Sequence, residues 1–282
     1  MGEPADIAAR FLAARRAATG LEGYPGTLPE TLDEAYAIQD AAMENWGQPV
    51  LGWKVGRIMP PQSERFGSDR LAGPIFSAKR VRTDGSYVEM PVFAEGFSAA
   101  EAEFLLKLGA APLPEKRKST LNDTAALIDA IHIGIEIASS PLRAINEIGP
   151  IAVVSDFGNN NGLVIGPAID GWRTSGFVRW PVATLIDGHV VGEGSADSFP
   201  EGPLGSARFL FELMARRGIA LTPDQWVFDR RDHRHSRCEA RPDRRGAVRR
   251  RSLGRLPARA RHSRWRLDPG APRPSDLRRR DV

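Results

Sequence analysis

The amino-acid composition of this 282-residue chain changes abruptly after Val227. The last 55 residues contain 19 arginines, no lysine and seven acidic residues, a net charge of +12, whereas residues 1–227 carry a net charge of −8. A segment with a high net charge and few apolar residues does not bury enough surface to fold. The sequence therefore predicts a folded, acidic body over residues 1–227 and an irregular, disordered tail over residues 228–282.

Several classes of protein are excluded by simple counts. The single cysteine, Cys238, forms neither an internal disulfide nor a cysteine zinc site, which favours a reducing compartment. The chain has no run of 18 apolar residues and no secretory signal at its first residues, so we expect neither a membrane span nor export. These features predict a cytoplasmic protein that has no membrane partner.

The body begins with helical patterns and continues with short strand patterns. Residues 5–18 are amphipathic, and the sequence from Thr31 to Glu34 has the form of a capping box, which predicts a helix through about Trp46. Beyond residue 50, short segments in which apolar and polar residues alternate are separated by glycine and proline. We therefore expect an α+β fold with a helical segment over residues 1–50 and a mostly antiparallel domain over residues 51–227.

Four local features of that domain can be assigned from the sequence. They are a loop or short helical piece over residues 60–74, a helix over about residues 123–131 capped by Asn122 or Asp123, a hairpin turning at Asp187 and Gly188, and a helix from Pro203 to Arg217.

Three glutamates are the candidate metal ligands. Glu101 and Glu103 are separated by one residue, so on a strand both carboxylates lie on the same face. Glu136 lies on the polar face of a second alternating segment, whose other face carries isoleucines. Adjacent carboxylates repel each other unless a cation lies between them, and Mg²⁺ prefers oxygen ligands of this kind. The spacing alone is more typical of a solvent-exposed strand face.

Five segments occur in an order that carries a resemblance: GWKVG, AEAEFLLKLG, GIEIASSPL, SDFGNNNGLVIGP, and the run from GEGSADSFP to PDQWV, which ends at residue 227. Taken together, they resemble the 2-keto-4-pentenoate hydratase family of the fumarylacetoacetate hydrolase superfamily over residues 1–227. The resemblance implies a distorted β-sandwich roll with N-terminal and flanking helices.

The resemblance also implies a site, a cofactor and a reaction. Glu101, Glu103 and Glu136 match the positions that bind Mg²⁺ or Mn²⁺ in the family. Lys54 matches a catalytic lysine that contacts the substrate, and the match further implies a catalytic Asp156 and substrate contacts from Asn160 and Pro203, which completes the set of implied site residues. The implied protein is a homo-oligomeric lyase of aromatic-compound catabolism.

In the implied reaction, the metal stabilises an enolate of a 2-hydroxy-dienoate or 2-oxo-alkenoate, and water adds to the remote alkene carbon. Because related enzymes use the same enolate, cleavage of a C–C bond in an acylpyruvate and decarboxylation of a 2-oxo acid stay open. The chain also departs from the family pattern at residues 71–73, which read Leu-Ala-Gly where the family has an acidic residue, aromatic and glycine. This departure indicates a divergent subgroup.

The arginine-rich tail has two competing interpretations. Arginine without lysine is typical of GC-rich codons read in a shifted frame, and one codon choice for residues 228–236 reads Ser-Thr-Gly-Ala-Ile-Thr-Gly-Ile-His one base later, close to the family's continuation. The alternative, from another class of function, is a non-enzymatic protein whose tail binds nucleic acid through phosphate contacts. The few aromatic residues of the tail, Phe228 and Trp265, make nucleic acid the less favoured partner.

The frameshift hypothesis predicts the sequence of the gene itself. DNA sequencing across the codons from Phe228 onward is expected to show a second open frame that encodes a glycine-containing turn followed by apolar strand patterns. A second frame without such a segment would rule out the shift and leave the tail as an evolved basic extension.

Overall fold

Two helices lead the chain into a long mixed sheet. The computed structural model describes residues 2–80, 88–180, 182–186, 189–194, 200–229 and 261–265. The helices are α1 (Glu3–Ala17), α2 (Leu32–Trp46), α3 (Gln62–Phe66), α4 (Leu121–Ala126), α5 (Ile145–Ile148), α6 (Pro150–Ser155) and α7 (Gly202–Arg217), with 3₁₀ turns at Phe157–Asn159 and Phe177–Arg179. The strands are β1 (Gly52–Arg57), β2 (Arg70–Ile75), β3 (Ala78–Arg80), β4 (Val88–Val92), β5 (Phe97–Leu108), β6 (Ile128–Ser140), β7 (Asn160–Ala168), β8 (Val182–Ile186), β9 (His189–Gly194), β10 (Trp226–Asp229) and β11 (Arg261–Trp265).

Seven of these strands form one open sheet in the order β2-β1-β10-β5-β6-β7-β3. The long strands β5 and β6 pair antiparallel through almost their whole length and form its centre. The pairs β1–β10 and β3–β7 are parallel, and the other neighbours are antiparallel. Two further pairs, β4–β11 and β8–β9, form separate two-stranded sheets.

The two faces of the sheet are buried in different surroundings. On one face, Trp53, Leu106 and Val227 belong to the largest apolar cluster, together with buried side chains of α7 such as Leu210 and Phe211. Side chains alternate along a strand, so Lys54, Leu105 and Phe228 project from the opposite face. That opposite face also carries the predicted metal ligands.

The N-terminal helices attach to this sheet through polar as well as apolar contacts. The buried Gln39 of α2 donates hydrogen bonds to the backbone carbonyls of Ala72 and Val154, at 3.1 and 2.8 Å. The Tyr36 hydroxyl accepts a hydrogen bond from the backbone amide of Ala72, and burial raises the pKa of Tyr36 to about 12. The phenol therefore stays neutral at every pH that the protein meets.

Most of the predicted secondary structure is confirmed, and two assignments are wrong. The α+β class, the helices near residues 5–18, 31–46 and 203–217 and the mostly antiparallel sheet are all present. Residues 70–74, however, lie in strand β2 rather than in a loop, because they pair with β1 along its whole length.

The helix predicted over residues 123–131 is much shorter than expected. Thr120, not Asn122 or Asp123, is the N-cap of α4, and Thr120 and Asp123 form a reciprocal capping box. The hydrogen bond from the Thr120 backbone amide, with Lys116 nearby, lowers the pKa of Asp123 to about 2. The isoleucine alternation then begins strand β6 at Ile128.

The boundary between body and tail lies inside a strand. Trp226, Val227 and Phe228 are buried in β10, which pairs with β1 and β5 in the middle of the sheet. Farther along, the segment Arg261–Trp265 forms strand β11 against β4, within the tail that was expected to be irregular. The predicted turn at Asp187 and Gly188 lies outside the described residues, although strands β8 and β9 flank it. Within the described ranges, no helix combines the length and apolar character that a membrane span needs.

Candidate metal centre

Strands β5 and β6 place three carboxylates on one face of the sheet. Glu101 of β5 lies directly opposite Glu136 of β6, and Glu103 lies opposite Gly134. Because alternate residues of a strand share a face, Glu103 projects beside Glu101, and the side chain of Leu105 fills the space over Gly134. The paired strands therefore bring three acidic groups from two distant segments to one point.

The three carboxylates are buried and close enough to hold one ion. Glu101, Glu103 and Glu136 are 5%, 2% and 0% exposed, and one oxygen from each lies within 4.8 Å of the others. Oxygen ligands of a single octahedral Mg²⁺ are about 3–4 Å apart, so a shift of about an ångström would let all three share one ion. An all-oxygen donor set is the kind that hard divalent cations prefer. The residues therefore fit the Mg²⁺ or Mn²⁺ that the resemblance implied.

Lys54 lies against this cluster. Strand β1 projects its side chain from the same sheet face, and its Nζ lies 2.9 Å from Glu136 Oε1 with both side chains fully buried. The backbone of the neighbouring strand approaches closely here, since a Cβ on Gly73 would lie 2.5 Å from Gly158 backbone atoms. Glycine at both positions lets the turn at residues 157–159 pack over Lys54.

Asn160 also contacts the cluster, from the first residue of β7. Its Nδ2 donates a hydrogen bond to Glu136 Oε1 at 3.2 Å, and its Oδ1 accepts one from the Gly162 amide at 3.1 Å. The side chain is thereby fixed at both ends. Of the predicted site residues, the structure thus brings Lys54 and Asn160 to the three glutamates.

Asp156 lies in a different environment from the one its predicted catalytic role suggested. Its Oδ1 accepts a hydrogen bond from Arg15 Nε at 2.5 Å, and its Oδ2 accepts one from the Ser140 hydroxyl at 2.6 Å. Both carboxylate oxygens are therefore held by protein donors. The catalytic role stays a prediction.

Tyr24 lies close to Asp156 and contacts the preceding residue, Ser155. Its hydroxyl donates a hydrogen bond to Ser155 Oγ at 2.9 Å. Burial raises the pKa of Tyr24, and the negative charge of Asp156 raises it further, although the Ser155 bond opposes both. The phenol therefore stays protonated at neutral pH.

Pro203 lies in the first turn of α7, and the buried side chains of that helix pack on the sheet face opposite to the carboxylates. The substrate contact expected of Pro203 stays a prediction.

An apolar patch lies on the same sheet face as the carboxylates. It consists of six buried side chains, none of them charged, from β2, β5, β7 and β10: Ile75, Leu105, Leu163, Ile165, Trp226 and Phe228. Leu105 continues the alternation of Glu101 and Glu103, and Phe228 is the strand neighbour of both Leu105 and Lys54. The metal-ligand cluster therefore passes directly into an apolar surface.

Two parts of this site were missed at the sequence level. The alternation from Glu101 to Leu105 would have indicated the patch, but Phe228 fell beyond the expected end of the body. Arg15 gave no local signal, because its partner Asp156 is 141 residues away in the chain.

Comparisons with known proteins agree with this architecture. The chain superimposes on 4-oxalocrotonate decarboxylase from Pseudomonas putida G7, solved with magnesium and adipate, with a TM-score of 0.61 and 19% identity over 80% of this chain and 86% of that one. The same enzyme with calcium and acetate gives a TM-score of 0.61 and 18% identity over 81% and 86%. Fumarylpyruvate hydrolase from Pseudomonas aeruginosa, in complex with Mn²⁺ and pyruvate, gives 0.44 and 16% over 64% and 77%.

No protein-family model matches the chain, and no curated protein matches it. The likeness to the decarboxylase shows a shared fold. It confirms the predicted fumarylacetoacetate-hydrolase-like arrangement of a mixed sheet with flanking helices.

The carboxylate cluster predicts opposite effects of one substitution with and without metal. In metal-free buffer, Glu103→Gln should raise the free energy of unfolding by about 1–2 kcal/mol, because it removes one of three buried like charges. With Mn²⁺ at 100 times its dissociation constant, wild-type protein should gain about 2.7 kcal/mol, and the variant much less. Urea unfolding in both buffers measures the two effects.

The exposed Glu44 provides the matched control. Glu44→Gln should leave both unfolding free energies unchanged. A Glu103→Gln variant that Mn²⁺ stabilises as much as wild type would contradict a shared ion.

Proposed function

We propose that this chain is a divalent-metal-dependent lyase of the fumarylacetoacetate hydrolase superfamily that adds water to a 2-hydroxy-dienoate or 2-oxo-alkenoate. The observation that carries the proposal is the buried cluster of Glu101, Glu103 and Glu136, with all three carboxylates within 4.8 Å. Burying three acidic groups at one point costs free energy unless a cation compensates their charges. The cluster is therefore better explained as an ion site than as a purely structural feature.

The shared fold supports placement in this superfamily. The decarboxylase that shares the fold was solved with magnesium or calcium and with small carboxylates, namely adipate and acetate. By analogy, we infer that this chain also binds a divalent cation, Mg²⁺ or Mn²⁺, and a small organic acid. Fold likeness alone does not determine a reaction, so the reaction is argued from the site.

The three glutamates are the groups that would hold the ion. A bound divalent cation supplies Lewis-acid stabilisation of negative charge that develops on substrate oxygens during the reaction. Asn160 holds Oε1 of Glu136 in place through its amide, so the carboxylate keeps one orientation. Hydrogen-bonded partners of this kind orient metal ligands and strengthen binding.

Lys54 is the group we assign to the substrate and to proton transfer. Its ammonium group is buried beside Glu136, and its strand neighbour Phe228 belongs to the apolar patch. There it anchors a carboxylate or delivers a proton to a reacting carbon at short range. Asp156 and Pro203 remain proposed members of the site.

The apolar patch supports hydration over the alternatives. Leu105, Phe228 and their neighbours adjoin the three glutamates on the same sheet face, and we infer that the far end of the substrate extends toward them. An uncharged dienoate tail gains free energy on burial there, whereas a second carboxylate would lose its hydration without a charged partner among these six side chains. Decarboxylation of a 2-oxo dioate is therefore less favoured than hydration. Cleavage of an acylpyruvate, whose acyl end need not be charged, is the second candidate.

The remaining features belong to the same proposal. We infer a cytoplasmic homo-oligomer whose N-terminal helical segment (residues 1–50) packs on the catalytic domain (residues 51–227). The arginine-rich segment (residues 228–282) lies outside the chemistry except for Phe228, which belongs to the apolar patch. A non-enzymatic, nucleic-acid-binding protein is the alternative from another class.

A parallel ultraviolet assay tests the reaction. We expect Mg²⁺-dependent conversion of 2-hydroxypenta-2,4-dienoate, no turnover in EDTA, and loss of at least about 10³-fold in kcat/KM for Glu136→Gln, because that variant loses both a ligand and the partner of Lys54. The exposed control Glu44→Gln should retain full activity.

Two other outcomes are distinguishable in the same assay. Faster turnover of an acylpyruvate or of a 2-oxo dioate would replace hydration with the corresponding alternative. Metal-independent behaviour, with salt-sensitive DNA binding that persists in Glu101→Gln, would favour the non-enzymatic class.

A further inference from the structure

The strongest unassigned feature is a buried ion pair between Arg15 of the N-terminal helix α1 and Asp156, the first residue of the segment 156–161 that leads to the metal centre. The side chains of Arg15 and Asp156 are 3% and 1% exposed, and Nε lies 2.5 Å from Oδ1. A buried charge pair is poor evidence for stability, since desolvation offsets most of the attraction. The best-attested use of such a pair is to fix one arrangement of the chain, so the segment that it holds is the place to look for its role.

All three nitrogens of the Arg15 guanidinium group donate hydrogen bonds to one short segment, residues 156–161. Nη2 donates to the Asp156 carbonyl, and Nη1 donates to the Asn160 carbonyl and to Asn161 Oδ1, each at 3.3 Å. The charged group also lies 5.1 Å from the centre of the Phe157 ring. These contacts hold residues 156–161 at both ends and at the middle.

That segment needs an external support. Phe157, Gly158 and Asn159 have φ values of 53°, 68° and 60°, three consecutive residues in the left-handed region. Residues other than glycine rarely adopt this backbone conformation, and a strained turn persists only where its surroundings enforce it. The enforcing contacts include the Arg15–Asp156 pair and the Ser140 hydroxyl, beside the packing of the Phe157 ring against Trp46 and Phe76.

The strained segment positions two groups of the metal centre: the Asn160 amide and the backbone beside Lys54. Immediately after the turn, the Asn160 amide reaches Glu136 Oε1 at 3.2 Å. Within the turn, Gly158 packs on Gly73 and lies next to the Lys54 side chain. A displacement of the segment would therefore remove the Asn160 bond to Glu136, leaving that of Lys54, and would move the backbone that packs against Lys54.

We propose that Arg15 and Asp156 are positioning residues: their buried ion pair holds residues 156–161 so that Asn160 orients Glu136 for metal binding. On this proposal Asp156 transfers no proton, and its part in the proposed site is that of a positioning residue rather than the catalytic role that the resemblance implied. The inference concerns the metal site, which the proposed function shares, but it holds whichever acid the enzyme transforms.

The test compares Mn²⁺ affinity with the pH profile of the same variants. In isothermal titration calorimetry, Arg15→Lys and Asp156→Asn are each expected to bind Mn²⁺ 10- to 100-fold more weakly than wild type, as for other residues that orient metal ligands. At saturating Mn²⁺, kcat should recover to within about threefold of wild type, and the pH profile of kcat/KM should keep both limbs.

A second ion pair provides the matched control. Arg217 of α7 lies 2.5 Å from Asp40 of α2, with its side chain 9% exposed, in a pair that joins two helices. Arg217→Lys should lower stability without changing Mn²⁺ affinity by more than about twofold. Ser140→Ala removes the second bond to Asp156, together with the bond that Ser140 Oγ accepts from the Leu142 amide, and keeps all charges, so it serves if Asp156→Asn does not fold.

Three results would overturn the positioning role. Wild-type Mn²⁺ affinity in Arg15→Lys and Ser140→Ala would show that the pair does not act on the metal site. Wild-type affinity in Asp156→Asn, with kcat and one limb of the pH profile lost, would make Asp156 a proton-transfer group. Equal weakening in the Arg217→Lys control would reduce the effect to general destabilisation. A wild-type protein that binds Mn²⁺ but hydrates no dienoate would remove the proposed function and leave this comparison intact.

Discussion

Electrostatic repulsion among three buried carboxylates is the constraint on which the site depends. Pairing of β5 with β6 sets Glu101 opposite Glu136, and the two-residue period of the strand adds Glu103 to the same face. Each group has lost its contact with water, so each charge costs more here than on the surface. A divalent cation is the partner that offsets several such charges at once, and Lys54 offsets one of them from the side.

The rest of the molecule can be understood as support for that cluster. The main apolar core fills the opposite face of the sheet and fixes the strands, so the carboxylates stand on a rigid platform. Helix α1 contributes Arg15, which reaches across to the segment that leads into β7. The apolar patch beyond Leu105 then supplies a dry surface next to the charged groups. Charge, support and apolar side chains together are the features on which the proposed binding of a small acid by one end rests.

Much of this arrangement could be predicted from the residues, because it depends on local periodicity. Alternation around Glu101 and Glu103 indicated a shared face, and the isoleucines around Glu136 indicated a second strand. Both strands are present, and the structure joins them in register. The prediction of Lys54 and Asn160 came from the family resemblance, and both side chains do contact Glu136.

The missed features depend on contacts between residues far apart in the sequence. Nothing in the alanine- and arginine-rich first helix distinguishes Arg15 from Arg16, yet only Arg15 faces the loop at Asp156. Similarly, the composition change suggested that the body ends at residue 227, whereas Phe228 is fully buried in the middle of the sheet. Strand β2 was overlooked because its sequence is short and glycine-containing, and only its pairing with β1 reveals it.

The central claim is that the three carboxylates share one divalent ion, and anomalous diffraction from crystals soaked in Mn²⁺ tests it most directly. We predict a single anomalous peak about 2.2 Å from an oxygen of each of Glu101, Glu103 and Glu136. Crystals that show no peak among these oxygens at millimolar Mn²⁺, or a peak that contacts fewer than two of them, would contradict the account.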